Sequence, residues 1–307
     1  MEAAEMKKLG KAALISAGAV TGAVLGSSYL LARVVNRPEH KTFEERVKDL
    51  RDHGRWEDYD SLKKVPYAVE MADGYVLHAT FIPAGIETNR YVIISHGIGD
   101  NRLGSAKYAL MYHAMGINSI IYDSRGQGEN RDQAVTLGLK ESRDLIDLII
   151  DTRRRYGNDM VLGLHGESMG AAFQILALRY MPKVDFMICD CGFAKLEDVL
   201  DIQIHKVLHL PKWMVKLGSL GSRIFYGYFF GEVQPIKALK EGKVPICFCH
   251  GTADSFIPYH ESEMMYEAYR GYKELHLFEG AEHVESLNSD PEKYYQMTAD
   301  FIERVLG

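Results

Sequence analysis

Gly166-Glu167-Ser168-Met169-Gly170 sets one hydroxyl between two glycines, at the junction of two segments of different character. Residues 160–165 are an apolar run that reads as a buried strand, and residues 171–178 read as the start of a helix. A serine on a sharp turn between strand and helix is exposed to attack a carbonyl carbon. Glycines two positions away remove the side chains that such a turn would force together. A serine hydroxyl is a weak nucleophile at neutral pH, so the chemistry needs a base, normally a histidine, and a carboxylate that orients it.

Of the 12 histidines, His283 is selected by position. It follows the last apolar strand in Gly280-Ala281-Glu282-His283 and precedes the last helix. Asp254, in His250-Gly251-Thr252-Ala253-Asp254, follows the preceding strand, so both residues fall on loops at one sheet edge, where ligands bind. The order Ser168, Asp254, His283 is the order that accompanies this kind of turn. Asp190 also follows a strand on that edge and competes for the carboxylate role, although a part in ordering the loop at Gly192-Phe193 suits it better. Glu167 is expected to pack under the turn, His96 and His165 to be structural, and His250 to satisfy a backbone carbonyl. Acyl transfer further needs donors for a tetrahedral oxyanion. The N–H of Met169, at the head of the helix, supplies one, and the N–H of Ile98 in Ser95-His96-Gly97-Ile98-Gly99 is the expected second.

These residues require a parallel sheet to hold them. Residues 67–82 read as a hairpin around Asp73-Gly74. Apolar runs at 91–95, 119–122, 160–165, 186–189, 245–249 and 274–278 then alternate with helical segments at 106–115, 141–156, 261–269 and 291–305. Strands that are apolar on both faces, separated by helices, give a three-layer α/β domain. An insertion at 194–233 breaks the rhythm. It carries Trp213, Phe225, Tyr226 and Phe229, which suggests a small helical cap that touches substrate, the alternative being a helical face that packs on the domain and touches none.

With 307 residues, a hydrophobic fraction of 47% and a net charge of -6, the chain is an ordinary globular protein with no basic stripe, so nucleic acid is not expected as a partner. The four cysteines fall in two C-x-C pairs, Cys189/Cys191 and Cys247/Cys249, inside apolar runs, and read as buried free thiols rather than as metal ligands. Neither a metal nor another cofactor is called for. Residues 12–32 contain no charge and are flanked by Lys7, Lys8, Lys11, Arg33 and Arg37, which is long enough for a transmembrane helix. A cleaved signal peptide is the rival reading. Gly18, Gly22 and Gly26 share one face of that helix, a ridge on which a second copy could pack to form a homodimer. The expected organisation is an anchor at 1–36, a polar stalk at 37–65 and a catalytic domain at 66–307.

The His96-Gly97 turn, the Asp123-Ser124-Arg125-Gly126-Gln127-Gly128 turn, the Gly166-to-Gly170 turn, the acid loop at Asp254 and the base loop at His283 together resemble the serine α/β-hydrolases. The likeness is to membrane-anchored bacterial cell-surface hydrolases of the serine aminopeptidase-like and cinnamoyl-esterase-like type. It implies an α/β-hydrolase fold, a serine nucleophile, a membrane location with the domain outside the cytoplasm, and an Arg125 turn that serves structure. The expected activity is hydrolysis of an ester of an apolar acyl group, on a small or lipid-like substrate, through an acyl-serine. Peptide or amide hydrolysis, thioester hydrolysis and an inactive binding module are the alternatives.

Overall fold

The computed structural model describes residues 21–130, 132–209 and 211–307. The hairpin β1 (Val65–Glu70) and β2 (Val76–Ile82) turns at Gly74, whose φ of 79° is open to glycine at no steric cost. There follow β3 (Arg90–Ser95), α4 (Ala106–Ala114), β4 (Asn118–Tyr122), α5 (Leu139–Tyr156), β5 (Val161–Glu167) and α6 (Met169–Ala177). The second half contains β6 (Phe186–Asp190), α7 (Leu196–Leu208), α8 (Trp213–Tyr226), α9 (Pro235–Ala238), β7 (Ile246–Gly251) and α10 (His260–Ala268). It closes with β8 (Lys273–Phe278), α11 (Ser286–Ser289) and α12 (Pro291–Leu306). Ahead of the hairpin lie α1 (21–36), α2 (Phe43–Asp52) and α3 (Trp56–Ser61).

Among the described residues the strands form an 8-stranded sheet in the order β1-β2-β4-β3-β5-β6-β7-β8. β1 and β2 are antiparallel to each other, β2 is antiparallel to β4, and every pairing from β4 to β8 is parallel. Alternation along the strands builds two cores. Ile93, Ile120, Leu162 and Leu164 face α5 and α6, whereas Val92, Ile94, Ile121 and Ile188 face α4 and α12. Each fully buried aliphatic side chain contributes about 1.5–3 kcal/mol. The chain runs from β3 outward to β4 and then crosses back to β5, so a crevice opens between the carboxyl ends of β3 and β5.

The segment just before the hairpin departs from the expected stalk. Residues 37–65 hold α2 and α3, and these pack on the domain through Leu50 and Tyr59, both buried with α4 and α12. Thr42 starts α2 with a reciprocal capping box, accepting from the Glu45 N–H at 3.1 Å and donating its own N–H to the Glu45 carboxylate at 2.7 Å. Arg46 then forms an ion pair with Asp100, and the Lys41 N–H donates to the Gly99 carbonyl. Arg46, one of the polar residues that suggested a stalk, is thus a partner for a group on the domain. α1 docks through Ser28, Ala32 and Asn36, spaced four apart and buried, against α8. Among the described residues no helix is long and apolar enough to cross a membrane. The first part of the expected anchor, with Gly18, lies outside the described residues, while Gly22 and Gly26 have open space around their α-carbons.

Candidate active site

Three loops at the carboxyl edge of the sheet meet at Ser168. β5 delivers the serine with φ 53° and ψ -120°, a conformation unusual for a residue with a side chain. The two flanking glycines have separate reasons. A side chain at Gly166 would strike the backbone of Gly170 and Ala171, and one at Gly170 would strike the Ser95 carbonyl at the end of β3. The Ser168 N–H donates to the Asp190 carbonyl at 2.8 Å, which ties the turn to β6.

His283 Nε2 lies 2.9 Å from Ser168 Oγ, and His283 Nδ1 lies 2.6 Å from Asp254 Oδ2. The three residues selected by position in the chain are therefore brought into one hydrogen-bonded line. The Asp254 side chain is fully buried. Burial pushes its carboxyl upward, but hydrogen bonds from His250 and His283, the charge of His283 and the Ile257 N–H outweigh that and hold it well below the usual range. Its other oxygen accepts the N–H groups of Phe256 at 2.9 Å and Ile257 at 2.8 Å. A carboxylate fixed in this way keeps Nδ1 of His283 protonated and leaves Nε2 free to take the serine proton.

His250 does more than satisfy a carbonyl. Its Nδ1 accepts from Ser262 Oγ at 2.7 Å, so Nε2 carries the proton and points at both Asp254 Oδ2 (3.1 Å) and the Ile257 carbonyl (2.9 Å). No spacing rule marks the pair, since His250 lies on β7 and Asp254 in the loop beyond it. His96 is structural, accepting the Ser124 N–H at 3.0 Å and donating to the Gly97 carbonyl at 2.7 Å. His165 is buried and pushed down to about 3 by desolvation, so it stays neutral between Tyr112 and Tyr294.

Asp190 faces Tyr108, Tyr294 and Ser286, accepting their hydroxyls at 3.2, 3.0 and 3.1 Å. Through Ser286 it anchors the loop that carries His283. Glu167 is buried, 3.1 Å from Lys107 Nζ, and Lys107 also donates to the Val284 carbonyl at 3.0 Å. The turn, α4 and the base loop are thus joined by one ammonium. Arg125 forms a bidentate pair with Asp144 at 2.8 and 2.6 Å, a structural role as expected. Met169 opens α6, and its N–H precedes any carbonyl the helix could offer. The Gly97-Ile98 turn lies against the nucleophile, since a side chain built at Gly97 would sit 3.8 Å from Ser168 Oγ.

A cleft of about 300 Å³ opens at Ser168 and His283. Its apolar wall is Ile98, Leu103, Phe256 and Val284, and its polar wall includes Arg46, His53, Arg55 and Lys107. The Phe256 ring is 5.0 Å from the His283 ring. The expected cap residues Trp213, Phe225, Tyr226 and Phe229 line no part of this cleft. Phe225 instead stacks edge-on against Tyr29 of α1 at 4.9 Å, and Tyr226 borders a separate cavity with Arg143 and Tyr180. The wall expected from the insertion is supplied instead by α2, through Arg46, Leu50 and His53, while α8 of the insertion packs on α1. All four cysteines are free and buried. Cys191, Asp254 and His283 place potential metal ligands within 4.8 Å of one another, but the imidazole and carboxylate are already bonded and burial pushes the Cys191 thiol well up. Such a donor set does not suit a resident metal ion.

Residues 86–235 match the family model of the serine aminopeptidases, S33. The chain is 28% identical to protein YqkD of Bacillus subtilis over 305 residues, covering 98% of both, and 25% identical to protein YfhR of Escherichia coli K12 over 244 residues, covering 76% and 79%. Among solved structures it is similar to the Pyrococcus furiosus esterase Pf2001, with a TM-score of 0.68 at 20% identity, covering 89% of this chain and 98% of that one. It is also similar to the Pyrococcus horikoshii acylaminoacyl peptidase, with a TM-score of 0.62 at 18% identity, covering 80% of this chain and 42% of that one. The sheet order, the strained serine turn and these likenesses together give the chain the α/β-hydrolase fold.

Proposed function

We propose that this chain is a serine carboxylesterase that hydrolyses esters of short, apolar acyl groups. The observation that carries the reading is the line Ser168 Oγ, His283 Nε2, His283 Nδ1, Asp254 Oδ2, with both links within hydrogen-bond reach. Ser168 attacks the ester carbonyl while His283 takes its proton, and the N–H groups of Ile98 and Met169 receive the developing oxyanion. His283 then protonates the departing alcohol. Water, activated by the same imidazole, releases the acid from Ser168.

A short acyl chain suits a cleft of about 300 Å³ whose apolar wall is limited to Ile98, Leu103, Phe256 and Val284. On p-nitrophenyl esters, kcat/KM is expected to be highest for acetate to butyrate and to fall by roughly tenfold or more by the octanoate, each misfit methylene costing about 1 kcal/mol. Preference for the longest chains would contradict the reading. A second reading, cleavage of small-peptide amides, draws on the pairing of Arg55 and Glu285 through Asn288 in the cleft wall, at 2.5 and 2.8 Å, which offers both charges to a zwitterion. Faster turnover of aminoacyl p-nitroanilides than of the esters would favour it.

The uncharged run at 12–32, bounded by lysines and arginines, supports attachment to the cell membrane, and the outer side is proposed for the domain on its resemblance to cell-surface hydrolases alone. The open faces of Gly22 and Gly26 leave room for a second copy of the helix.

A further inference from the structure

α8 is built inside out. The face it turns inward, to α1 and Phe230, is small and partly polar: Val215, Gly218, Ser219, Gly221 and Ser222 are its buried residues. The face it turns to solvent is large and apolar, with Trp213 61%, Leu220 41% and Ile224 50% exposed. A surface helix of a water-soluble domain has the opposite arrangement.

α1 shares the anomaly. It presses Ser28 and Ala32 into Gly221, and Leu31 against Gly218, while Leu30 and Val34 stand 62% and 67% exposed. The Tyr29 and Phe225 rings, 4.9 Å apart, join the two outer faces into one patch. Contiguous apolar surface of this kind marks a site of contact.

Charge identifies the partner. Residues 6–38 and 202–231 contain no Asp or Glu, although the whole chain carries a net charge of -6. Their cations include Arg33 on α1, and Lys212, Lys216 and Arg223 along α8. Tryptophan and aliphatic side chains bordered by lysine and arginine suit the interface of an anionic bilayer, where long cationic side chains reach out to headgroups. Geometry adds a constraint. Four of the residues of α1 that touch α8, Ser28, Tyr29, Leu31 and Ala32, lie in the last turns of the uncharged run at 12–32. If that run enters the bilayer, α8 is held at the membrane surface.

We infer that the outer face of α8, together with that of α1, lies on an anionic lipid surface and sets the orientation of the catalytic domain. This rests on the membrane attachment proposed above and extends it from the anchor to the insertion. The residues singled out in the sequence as a substrate cap are thereby reassigned to lipid contact.

The full chain reconstituted in phosphatidylglycerol-containing vesicles tests the inference. Trp213 is one of only 2 tryptophans, so its signal is the difference between the chain and its exposed-site variant Trp213→Phe. That difference emission is expected to shift to shorter wavelength and to fall at least about twofold when the acyl chains are brominated. The double variant L220E/I224E is expected to lose most of this quenching while still sedimenting with vesicles. Sedimentation without any quenching of Trp213 would overturn the α8 assignment and leave the anchor standing. Failure to sediment would overturn both. Absence of quenching together with a doubled mass in light scattering, abolished by L220E/I224E, would assign the patch to a second copy and also overturn the lipid assignment.

Discussion

α2 with α3 and α7 with α8 are both helical additions to the sheet, and they meet the catalytic cleft in opposite ways. α2 is polar in sequence, yet Arg46 reaches from it to Asp100 and joins the cleft wall beside Ser168. The insertion at 194–233 is rich in aromatic residues, yet Trp213, Phe225, Tyr226 and Phe229 stay out of that cleft. A charged segment can be pinned by a single buried ion pair, whereas an aromatic segment needs only some apolar neighbour. For Phe225 that neighbour is Tyr29, at 4.9 Å.

The contrast can be broken by substitution. Asp254→Asn, which belongs to neither region, sets the scale. It reverses the tautomer preference of His283 and should lower kcat by about 10⁴-fold in a steady-state assay. Its carboxyl is held below the unfolded value of about 3.9, so its contribution to stability is present above that pH and is lost as the pH falls through the depressed native value. The gap in urea midpoint between wild type and Asp254→Asn should therefore stay constant from about pH 5 to 8 and close below about pH 4. Arg46→Ala leaves Asp100 almost buried without its cation and is expected to cost about 3 kcal/mol in urea unfolding, with kcat/KM falling as α2 loosens. Phe256→Ala, which opens the cleft beside His283, should raise KM roughly tenfold and change kcat little, because it removes binding shared by substrate and transition state. The exposed pair Trp213→Ala and Phe229→Ala should each alter kcat/KM by less than about twofold and stability by about 0.5 kcal/mol or less. A tenfold effect from either would restore the insertion to the substrate site.

What could be read from the chain follows the range of the interaction. The turn at Ser168, the hairpin at Gly74 and the α/β alternation rest on near neighbours, and they stand in the structure as the sequence implies. The acid and base loops were found because chain order and strand ends place them, although Asp254 and His283 are 29 positions apart. The second imidazole on Asp254 was missed, since nothing in His250-Gly251-Thr252-Ala253-Asp254 reveals that Ser262 sets its tautomer. The docking of α2 was missed for a related reason. Arg46 and Asp100 are separated by 54 positions, and each alone reads as a solvated charge. In α1, small residues four apart read equally as a membrane ridge and as the seat for Gly218 and Gly221.

Covalent labelling by a fluorophosphonate, read by intact mass and peptide mapping alongside turnover of p-nitrophenyl butyrate, addresses the central claim directly. One adduct on the peptide carrying Ser168, blocked in Ser168→Ala together with a loss of turnover of at least about 10⁴-fold, is the predicted result. Labelling and turnover of Ser168→Ala at the wild-type rate would contradict it.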